Sequence, residues 1–318
     1  MTAFLTRPLS VDAQAFVGPG LPVRVFEAAR PPSFEELVRG AEGAHTLLTL
    51  VSDPITAAVL DALPTVRHVA QVAVGYDNVD VEACRARGVL VTHTPGVLTD
   101  ATADLTFALL LAVARRVREG AALLRGGHFH GWGPTMLLGM ELRDRVLGIY
   151  GFGRIGQAVA RRAAGFGMRV VYCSRSDGPP ELGARVDFAT LLRASDVVSL
   201  HAPATPETRH AFDAAALSAM KPGAILINTA RGPLVEEAAL AYALQEGPLF
   251  GAGLDVYEDE PAVHPSLILR DDVVLLPHLG SATEAARRRM AETALTDALC
   301  VFEGRAAKHV VPELLDDA

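Results

Sequence analysis

Residues 145–174 read RVLGIYGFGRIGQAVARRAAGFGMRVVYCS and decide the fold of the chain. An apolar, β-branched run leads into Gly151-x-Gly153-x-x-Gly156, and a helical pattern and a second apolar run follow. In such a loop the first glycine permits a tight turn, the second lets a pyrophosphate approach the backbone, and the third lets helix and strand pack closely. Because these parts follow in order within about 30 residues, the stretch predicts a dinucleotide-binding βαβ unit rather than an ordinary glycine-rich turn.

The same alternation extends in both directions from this loop. Strands are predicted at 3–9, 21–28, 45–50, 66–71 and 89–94, and helices at 33–41, 53–63 and 80–88. The helix at 53–63 opens on Asp53-Pro54, a helix-start signal. A longer helix is predicted over 99–118, then a loose glycine-rich stretch at 126–139, and the alternation runs on to about Pro277. Strands separated by helices predict parallel sheets with helices on both faces.

Length and composition narrow the class of protein. A chain of 318 residues corresponds to about two domains. A net charge of -8 argues against a nucleic-acid partner or an anionic membrane. The longest apolar stretch, 105–114, is far shorter than a membrane span. The three cysteines are far apart, which predicts a reducing, cytoplasmic location with no disulfide framework and no metal site.

The end of the second strand of the βαβ unit bears on the choice of cofactor. An NAD site usually has an acid about 20 residues after the glycines, where it binds the ribose hydroxyls. Here Ser174, Arg175 and Ser176 follow Cys173, and no acid comes before Asp177. A guanidinium and two hydroxyls suit a 2′-phosphate, so the sequence predicts a preference for NADPH, with NADH as the alternative. In that alternative Arg175 is a solvated loop residue and Asp177 binds the ribose.

At this point the chain resembles the D-2-hydroxyacid dehydrogenase family over nearly its whole length. The segments that carry the resemblance are residues 74–112, 151–156, 200–210, 220–240, 251–261 and 275–283. Two further stretches, PGVLTDATAD (95–104) and GWGPTMLLG (131–139), look most like the glyoxylate/hydroxypyruvate reductase branch. The resemblance implies two doubly wound parallel-sheet α/β domains of the Rossmann and flavodoxin-like kind. The cofactor domain, 99–284, would be inserted into a discontinuous substrate domain, 1–98 plus 285–318.

The implied reaction is the reduction of a small 2-ketoacid to the D-2-hydroxyacid. Such a reaction needs a hydride on C2, a proton on the carbonyl oxygen and a group that holds the carboxylate. Arg231 follows a strand and suits the carboxylate and the carbonyl oxygen. His278 is the expected proton donor, and Glu260 would pair with it. Glu258 and Asp259 compete for the acid role, and the family's Glu-Pro step selects Glu260.

The resemblance assigns further residues to binding. Val74 and Gly75 would bind the substrate carboxylate through their backbone N–H groups, with a plain turn as the alternative. Substrate would also contact Arg231 and His278. The cofactor contacts are expected from Thr102, Gly151, Gly153, Arg154, Ile155, Gly156, Ser174, Arg175, Ser176, His201, Pro203, Thr208, Thr229, Ala230, Asp255 and Gly280. The 99–118 helix has an apolar face, within 105–113, that is wider than one buried stripe needs. With the following arm it predicts a homodimer interface, as the family also implies, and the alternative is a central helix buried within the monomer. Trp132 would either enter a partner's pocket or pack locally.

Two other functions stay open from the sequence. One is a related NAD-linked dehydrogenase for a different D-2-hydroxyacid, such as a phosphoglycerate enzyme. The other is a non-catalytic, NAD(H)-sensing corepressor of the same fold, which the catalytic residues alone do not exclude. Formate dehydrogenases share the architecture but have an amide in place of Glu260.

Overall fold

The structure, a computed structural model, describes residues 2–315, which divide into two compact units. Unit one comprises the residues up to Leu98 together with those from Ala282 onward, and unit two comprises Thr99–Ser281. The sequence analysis instead put the second boundary between residues 284 and 285. Within residues 2–315, no helix has the length and hydropathy that a membrane span requires.

Unit one contains a five-stranded parallel sheet in the order β2-β1-β3-β4-β5. Its strands are β1 (Ala3–Leu5), β2 (Val23–Val25), β3 (Thr46–Thr49), β4 (His68–Gln71) and β5 (Leu90–Thr92). Its helices are α1 (Ala13–Val17), α2 (Phe34–Ala41), α3 (Ala57–Ala62), α4 (Val81–Ala86) and the C-terminal helix of the chain. This strand order is flavodoxin-like and reverses its winding direction between β1 and β3, where such sheets bind ligands at the carboxyl ends of their strands.

Local sequence explains where these helices begin. Helix α2 starts with a capping box, in which the Ser33 hydroxyl accepts from Glu36 N and the Glu36 carboxylate accepts from Ser33 N. The prediction that a helix opens on Asp53 is wrong, because α3 begins at Ala57. The Asp53 carboxylate is buried and accepts hydrogen bonds from the hydroxyl of Thr6 and the guanidinium of Arg7. It therefore ties the end of β1 to the end of β3 instead of capping a helix.

Unit two contains a seven-stranded parallel sheet in the order β12-β11-β10-β9-β6-β7-β8. Its strands are β6 (Val146–Tyr150), β7 (Arg169–Cys173), β8 (Ala184–Arg185), β9 (Val197–Leu200), β10 (Ile225–Asn228), β11 (Gly251–Leu254) and β12 (Val273–Leu275). Its helices are α5 (Thr99–Ala114), α6 (Val117–Arg125), α7 (Arg154–Gly165), α8 (Phe188–Ala194), α9 (Ala214–Ser218), α10 (Glu237–Gln245) and α11 (Pro265–Ile268). The remaining helix, α12 (Glu284–Phe302), belongs to unit one.

The strand order of unit two reverses between β6 and β9, as in dinucleotide-binding sheets. Alternate residues of the central strands enter two separate cores. Leu226 of β10 packs with α8, α9 and α10, whereas Ile225 and Ile227 pack with α5 and α7. Helices therefore cover both faces of the sheet, and the predicted class of two doubly wound α/β domains is confirmed.

The helix predicted over 99–118 is interrupted. Helix α5 ends at Ala114, Arg116 adopts a left-handed backbone with a φ of 51°, and α6 begins at Val117. The apolar residues of α5 are mostly buried inside unit two, since Phe107, Leu109, Leu110 and Val113 belong to its core. The wide apolar face of this helix therefore reflects burial within the unit, and it gives no argument for a dimer interface on α5.

Candidate active site

The glycine-rich loop lies between β6 and α7, and each glycine has a different steric reason to be there. Gly151 has a φ of 92°, and a Cβ there would lie 2.5 Å from the backbone nitrogen of Ala202 after β9. A Cβ on Gly156 would lie 2.3 Å from the carbonyl oxygen of Gly151. Both positions therefore exclude any side chain, because backbone atoms occupy the space.

Gly153 is different, because a Cβ there would meet nothing within 4 Å. It is the N-cap of α7, and no side chain caps this helix end with a hydrogen bond. The first turn of α7 contains no acidic residue. The open space lies beside backbone N–H groups at the positive end of a helix dipole. Arg154 and Ile155 begin this helix. The loop therefore fits a dinucleotide pyrophosphate, which Gly153, Arg154 and Ile155 would hold through their backbone.

The segment after β7 carries the residues expected at the ribose. Arg175 is exposed. Hydrogen bonds from the Thr205 hydroxyl and the backbone lower the pKa of Glu207, and the positive charge of Arg175 lowers it further by a smaller amount. Sequence analysis missed Arg185 of β8, which donates to the carbonyl oxygens of Ser174 and Arg175, 3.0 Å each. Arg185 also pairs with Asp177 at 3.0 Å. The acid considered as an alternative ribose ligand therefore already has a cationic partner.

The loop after β9 contains the three residues expected near the adenine. His201 is half-buried, its ring shares one hydrogen bond with Ser199 Oγ at 2.8 Å, and removal of much of the ring from water lowers its pKa to about 3. The Thr208 hydroxyl donates to the carbonyl of Pro203 at 2.7 Å. The loop thus holds its own shape, and the Thr208 hydroxyl has a structural role in it.

Arg231 lies three residues beyond β10, and the local backbone fixes its position. Asn228, the last residue of β10, donates to the carbonyl of Arg231 at 2.9 Å and accepts from Ala230 N at 3.0 Å. A Cβ on Gly232 would lie 1.8 Å from the carbonyl oxygen of Tyr257, so the two backbones are in direct contact. Sequence analysis missed Asn228, although a polar residue at the end of a buried strand was a usable signal.

The structure brings His278 and Glu260 together. His278 Nδ1 lies 2.9 Å from Glu260 Oε2, while Glu260 Oε1 accepts from Tyr257 N at 3.1 Å. Burial alone would raise the pKa of Glu260, but the hydrogen bond and charge of His278 hold it below its usual value, and Arg231 contributes in the same direction. Glu258, the rival acid, pairs with His210 instead at 2.5 Å. Asp259 is exposed.

The carboxylate of Asp255 determines where the His278 loop lies. It is buried at the end of β11 and accepts from Leu279 N at 2.6 Å and Gly280 N at 2.7 Å, while the Asp255 carbonyl accepts from His278 N. Burial raises the pKa of Asp255, and the two backbone hydrogen bonds oppose that rise. His278 has a φ of 56°, a left-handed backbone that few non-glycine residues adopt. Asp255 therefore supports an uncommon backbone conformation at His278.

Three threonines link this loop to α5 and β10. The Thr102 hydroxyl donates to the carbonyl of Gly280 at 3.1 Å. Thr106, which sequence analysis missed, donates to the carbonyl of Thr102 and lies 2.9 Å from the hydroxyl of Thr229. The expected cofactor residues Thr102, Thr229 and Gly280 are thus connected through buried hydrogen bonds in unit two.

The loop after β4 in unit one contains Val74 and Gly75. The carbonyl of Val74 contacts His93 Nδ1 at 2.8 Å, and the carbonyl of Gly75 accepts from Gln71 Nε2 at 3.3 Å. Within residues 2–315, neither residue's backbone N–H donates a hydrogen bond. The loop is therefore anchored by its carbonyl groups while two N–H donors stay available.

Known proteins resemble this chain over most of its length. Residues 107–280 match the NAD-binding domain of the D-isomer specific 2-hydroxyacid dehydrogenases. The glyoxylate reductase of Thermococcus litoralis is 46% identical to this chain, covering 97% of it and 96% of the relative. The chain belongs to the D-isomer specific 2-hydroxyacid dehydrogenase family.

Solved structures give the same result. The TT0316 protein of Thermus thermophilus is 49% identical, with a TM-score of 0.92 over 98% of this chain and 100% of that one. An NADPH-dependent glyoxylate/hydroxypyruvate reductase of Sinorhizobium meliloti is 33% identical, with a TM-score of 0.85 over 99% of both chains. This 2-hydroxyacid dehydrogenase is therefore an oxidoreductase that uses a nicotinamide cofactor.

Proposed function

We propose that this dehydrogenase reduces glyoxylate or hydroxypyruvate to the D-2-hydroxyacid with a preference for NADPH. The observation that carries the proposal is the hydrogen bond between Glu260 and His278. Glu260 follows β11, His278 follows β12, and Arg231 follows the neighbouring strand β10. Ligands of open α/β sheets bind at the carboxyl ends of the strands. The Thermococcus and Sinorhizobium relatives named for glyoxylate reduction support the substrate class.

The reaction adds a hydride to C2 of the ketoacid and a proton to its carbonyl oxygen. The reduced nicotinamide, when bound, supplies the hydride. Because His278 Nδ1 engages Glu260, its Nε2 is the atom that donates the proton. The Glu260 carboxylate favours the imidazolium and orients the ring. Arg231 binds the substrate carboxylate and polarises the carbonyl as negative charge develops on oxygen.

In unit one, Val74 and Gly75 are the proposed substrate residues. Their two N–H groups have no acceptor within residues 2–315, and their carbonyl groups are held by His93 and Gln71. Two fixed donors of this kind suit a carboxylate, and the absence of a side chain on Gly75 permits close approach to the backbone. We propose that unit one is the substrate domain and that unit two, which contains Arg231 and His278, is the cofactor domain.

The preference for NADPH follows from the segment after β7. Arg175 is exposed, is followed by Ser176, and donates no hydrogen bond from its side chain within the described residues. The Sinorhizobium relative, which is NADPH-dependent, supports this assignment. The remaining proposed cofactor contacts are Thr102, Gly151, Gly156, Ser174, His201, Pro203, Thr208, Thr229, Ala230, Asp255 and Gly280.

We also propose a homodimer, formed through α6 and the arm that follows it. Large apolar side chains are exposed here, led by Trp132 at 81%, Leu124 at 65% and Leu138 at 61%. A run of such residues on one segment is typical of an association surface. The proposed partner that covers this surface is a second copy of the chain.

The experiment that tests the function measures loss of NADPH absorbance with the purified full chain. Glyoxylate and hydroxypyruvate should be turned over, and pyruvate and phosphohydroxypyruvate serve as comparison substrates. Faster turnover of phosphohydroxypyruvate would favour the phosphoglycerate enzyme. Tight cofactor binding without turnover of any ketoacid would overturn the proposal in favour of a cofactor sensor.

A further inference from the structure

The first residue of α10, Glu237, has a buried carboxylate with an unusual pair of partners. Its side chain lies in unit two, where the residue is only 6% exposed. Oε1 accepts from Glu258 N at 2.7 Å, and Oε2 accepts from His264 N at 2.8 Å. Both donors belong to the segment 258–264, so one carboxylate binds the two ends of one loop.

This loop is the one that carries Glu260. Glu260 lies two residues after the first anchor and four before the second, and nothing in the loop is a strand. Its position therefore depends on how the loop ends are held. Hydrogen bonds to a charged acceptor are stronger than those between neutral groups, and a carboxylate at a helix N-terminus is further favoured by the helix dipole.

Two more contacts make the first anchor rigid. The peptide between Tyr257 and Glu258 packs directly on Gly232, where a Cβ would lie 1.8 Å from the Tyr257 oxygen. The Glu258 carboxylate in turn accepts from Glu237 N at 3.4 Å and from His210 Nε2. The loop start is thus fixed against the residue that follows Arg231, and Glu237 connects that fixed point to the far end of the loop.

We propose that Glu237 is a positioning residue that holds Glu260 within hydrogen-bonding distance of His278. The inference rests on the proposed function, in which Glu260 supports His278 as proton donor. Glu237 touches neither substrate nor cofactor and acts only through the 258–264 loop. Loss of one of its two anchors lets that loop move, and a displacement of about 1 Å in a catalytic group costs on the order of 100-fold in rate.

The main test is Glu237→Gln, because the amide retains one acceptor and replaces the other with a donor. One loop N–H then has no acceptor. We expect kcat/KM to fall about tenfold, an intermediate value for partial misplacement, and the basic limb of its pH profile to move to lower pH. The matched control is Glu236→Gln, which removes the same charge at the same helix end from a side chain without a cap hydrogen bond. This control should keep the wild-type profile.

A double variant separates positioning from general stabilisation. In a Glu260→Gln background, Glu237→Gln should have little further effect on kcat/KM, because the group through which it acts is already altered. An additive loss with an unchanged pH profile would mean that Glu237 only stabilises the fold, and would overturn the proposal. The affinity of the variants for NADPH is measured from the fluorescence of the bound cofactor. It should stay within about twofold of the wild-type value, because Glu237 does not contact the cofactor.

A second pair of variants removes the other anchor and leaves Glu237 intact. His264 has a φ of -56°, which proline adopts readily, so His264→Pro deletes the N–H donor without imposing a new backbone angle. His264→Ala deletes the imidazole and keeps the N–H. The proline variant should reproduce the Glu237→Gln pH shift, and the alanine variant should not. This pair decides the question even if Glu237→Gln does not fold, and equal profiles for the two would refute the loop mechanism.

Failure of the inference differs from failure of the proposed function. If Glu260→Gln itself leaves the pH profile unchanged, the role given to the Glu260–His278 pair is wrong. If Glu260→Gln shifts the profile while Glu237→Gln and His264→Pro behave like their controls, only the inference about Glu237 fails.

Discussion

His278 is held through its backbone and its side chain at once. Asp255 binds the N–H groups of the two following residues, and Glu260 binds the ring. We expect His278→Ala to lower kcat by at least about 100-fold, the low end for loss of a positioned acid. Steady-state kinetics with saturating NADPH measures this. Turnover close to wild type would mean that another group donates the proton.

Glu260 should affect the pH dependence more than the maximal rate. Its lowered pKa means that the carboxylate is charged throughout the neutral range, where it holds the His278 ring through a hydrogen bond of 2.9 Å. Glu260→Gln removes that charge, so the decline of kcat/KM at high pH should begin at a lower pH. The residual activity of this variant at its optimum should exceed that of His278→Ala. A pH profile that matches wild type would contradict the pairing.

Arg175 gives a prediction about cofactor choice. A contact between a charged group and the 2′-phosphate contributes roughly 1.5–3 kcal/mol, so Arg175→Ala should lower kcat/KM for NADPH about ten- to a hundredfold. NADH lacks that phosphate and should be nearly unaffected. Ser174→Asp should go further and invert the preference through repulsion of the phosphate. The measurement is kcat/KM with both cofactors, and equal losses in Arg175→Ala would show a solvated loop residue.

Some functional residues could be predicted from the sequence and others could not. Arg231, Glu260 and His278 follow strands β10, β11 and β12, so their sequence positions alone predicted that they lie at one sheet edge. Arg185 and Glu237 were missed for a physical reason. Each binds backbone atoms of a segment 10 to 27 residues away, and no local pattern encodes such a partner.

Helix α6 and the arm after it differ from α5 in where their apolar residues lie. Leu109 and Leu110 of α5 are buried in unit two, whereas Leu124 of α6 and Leu138 of the arm are exposed. The sequence pattern alone predicted one continuous helix over 99–118, because the backbone break at Arg116 involves a left-handed residue with no glycine to signal it. The apolar pattern therefore predicted a buried face, and for α5 the structure shows the alternative of burial within the unit.

The dimer proposal is tested on these exposed leucines. Leu124→Asp places a charge in the proposed interface and should convert a dimer into a monomer at micromolar concentration, because an unpaired buried charge is costly. Leu269→Asp is the matched control, since Leu269 is 85% exposed but lies after α11. Sedimentation velocity gives the mass of each. A monomeric wild type, or dissociation by both variants, would reject this interface.

Acid sensitivity is expected of both units, because each contains, within residues 2–315, a histidine whose pKa is lowered by removal from water. Burial lowers the pKa of His68 in unit one to about 4 and that of His201 in unit two to about 3. An unfolded histidine has a pKa of about 6.5. Between about pH 6.5 and 4 the unfolded chain therefore binds protons that the folded chain does not, so stability is full above this window and falls as the pH falls through it.

The check is the free energy of unfolding in urea at several pH values. His68→Gln keeps a polar side chain beside Thr92, the hydrogen-bond partner of His68, and cannot titrate. Its stability should fall less than that of wild type across the window, by on the order of 2 kcal/mol. His45→Gln is the control, because it removes a histidine of the same unit that is only half-buried. Parallel curves for wild type and His68→Gln would show that His68 does not titrate as proposed.

The division of the chain has a consequence for its synthesis. Unit two is one continuous segment, so its synthesis is complete before α12 is made. The first 98 residues of unit one are made earliest, yet their sheet packs on α12 and pairs through Thr92 with Val310. At roughly 5–20 residues per second, the nascent strands wait about 10 to 40 seconds for that helix. Until then α12 cannot cover the face of β3 and β4 on which it packs, so we expect unit one, whose synthesis begins first, to complete its core last.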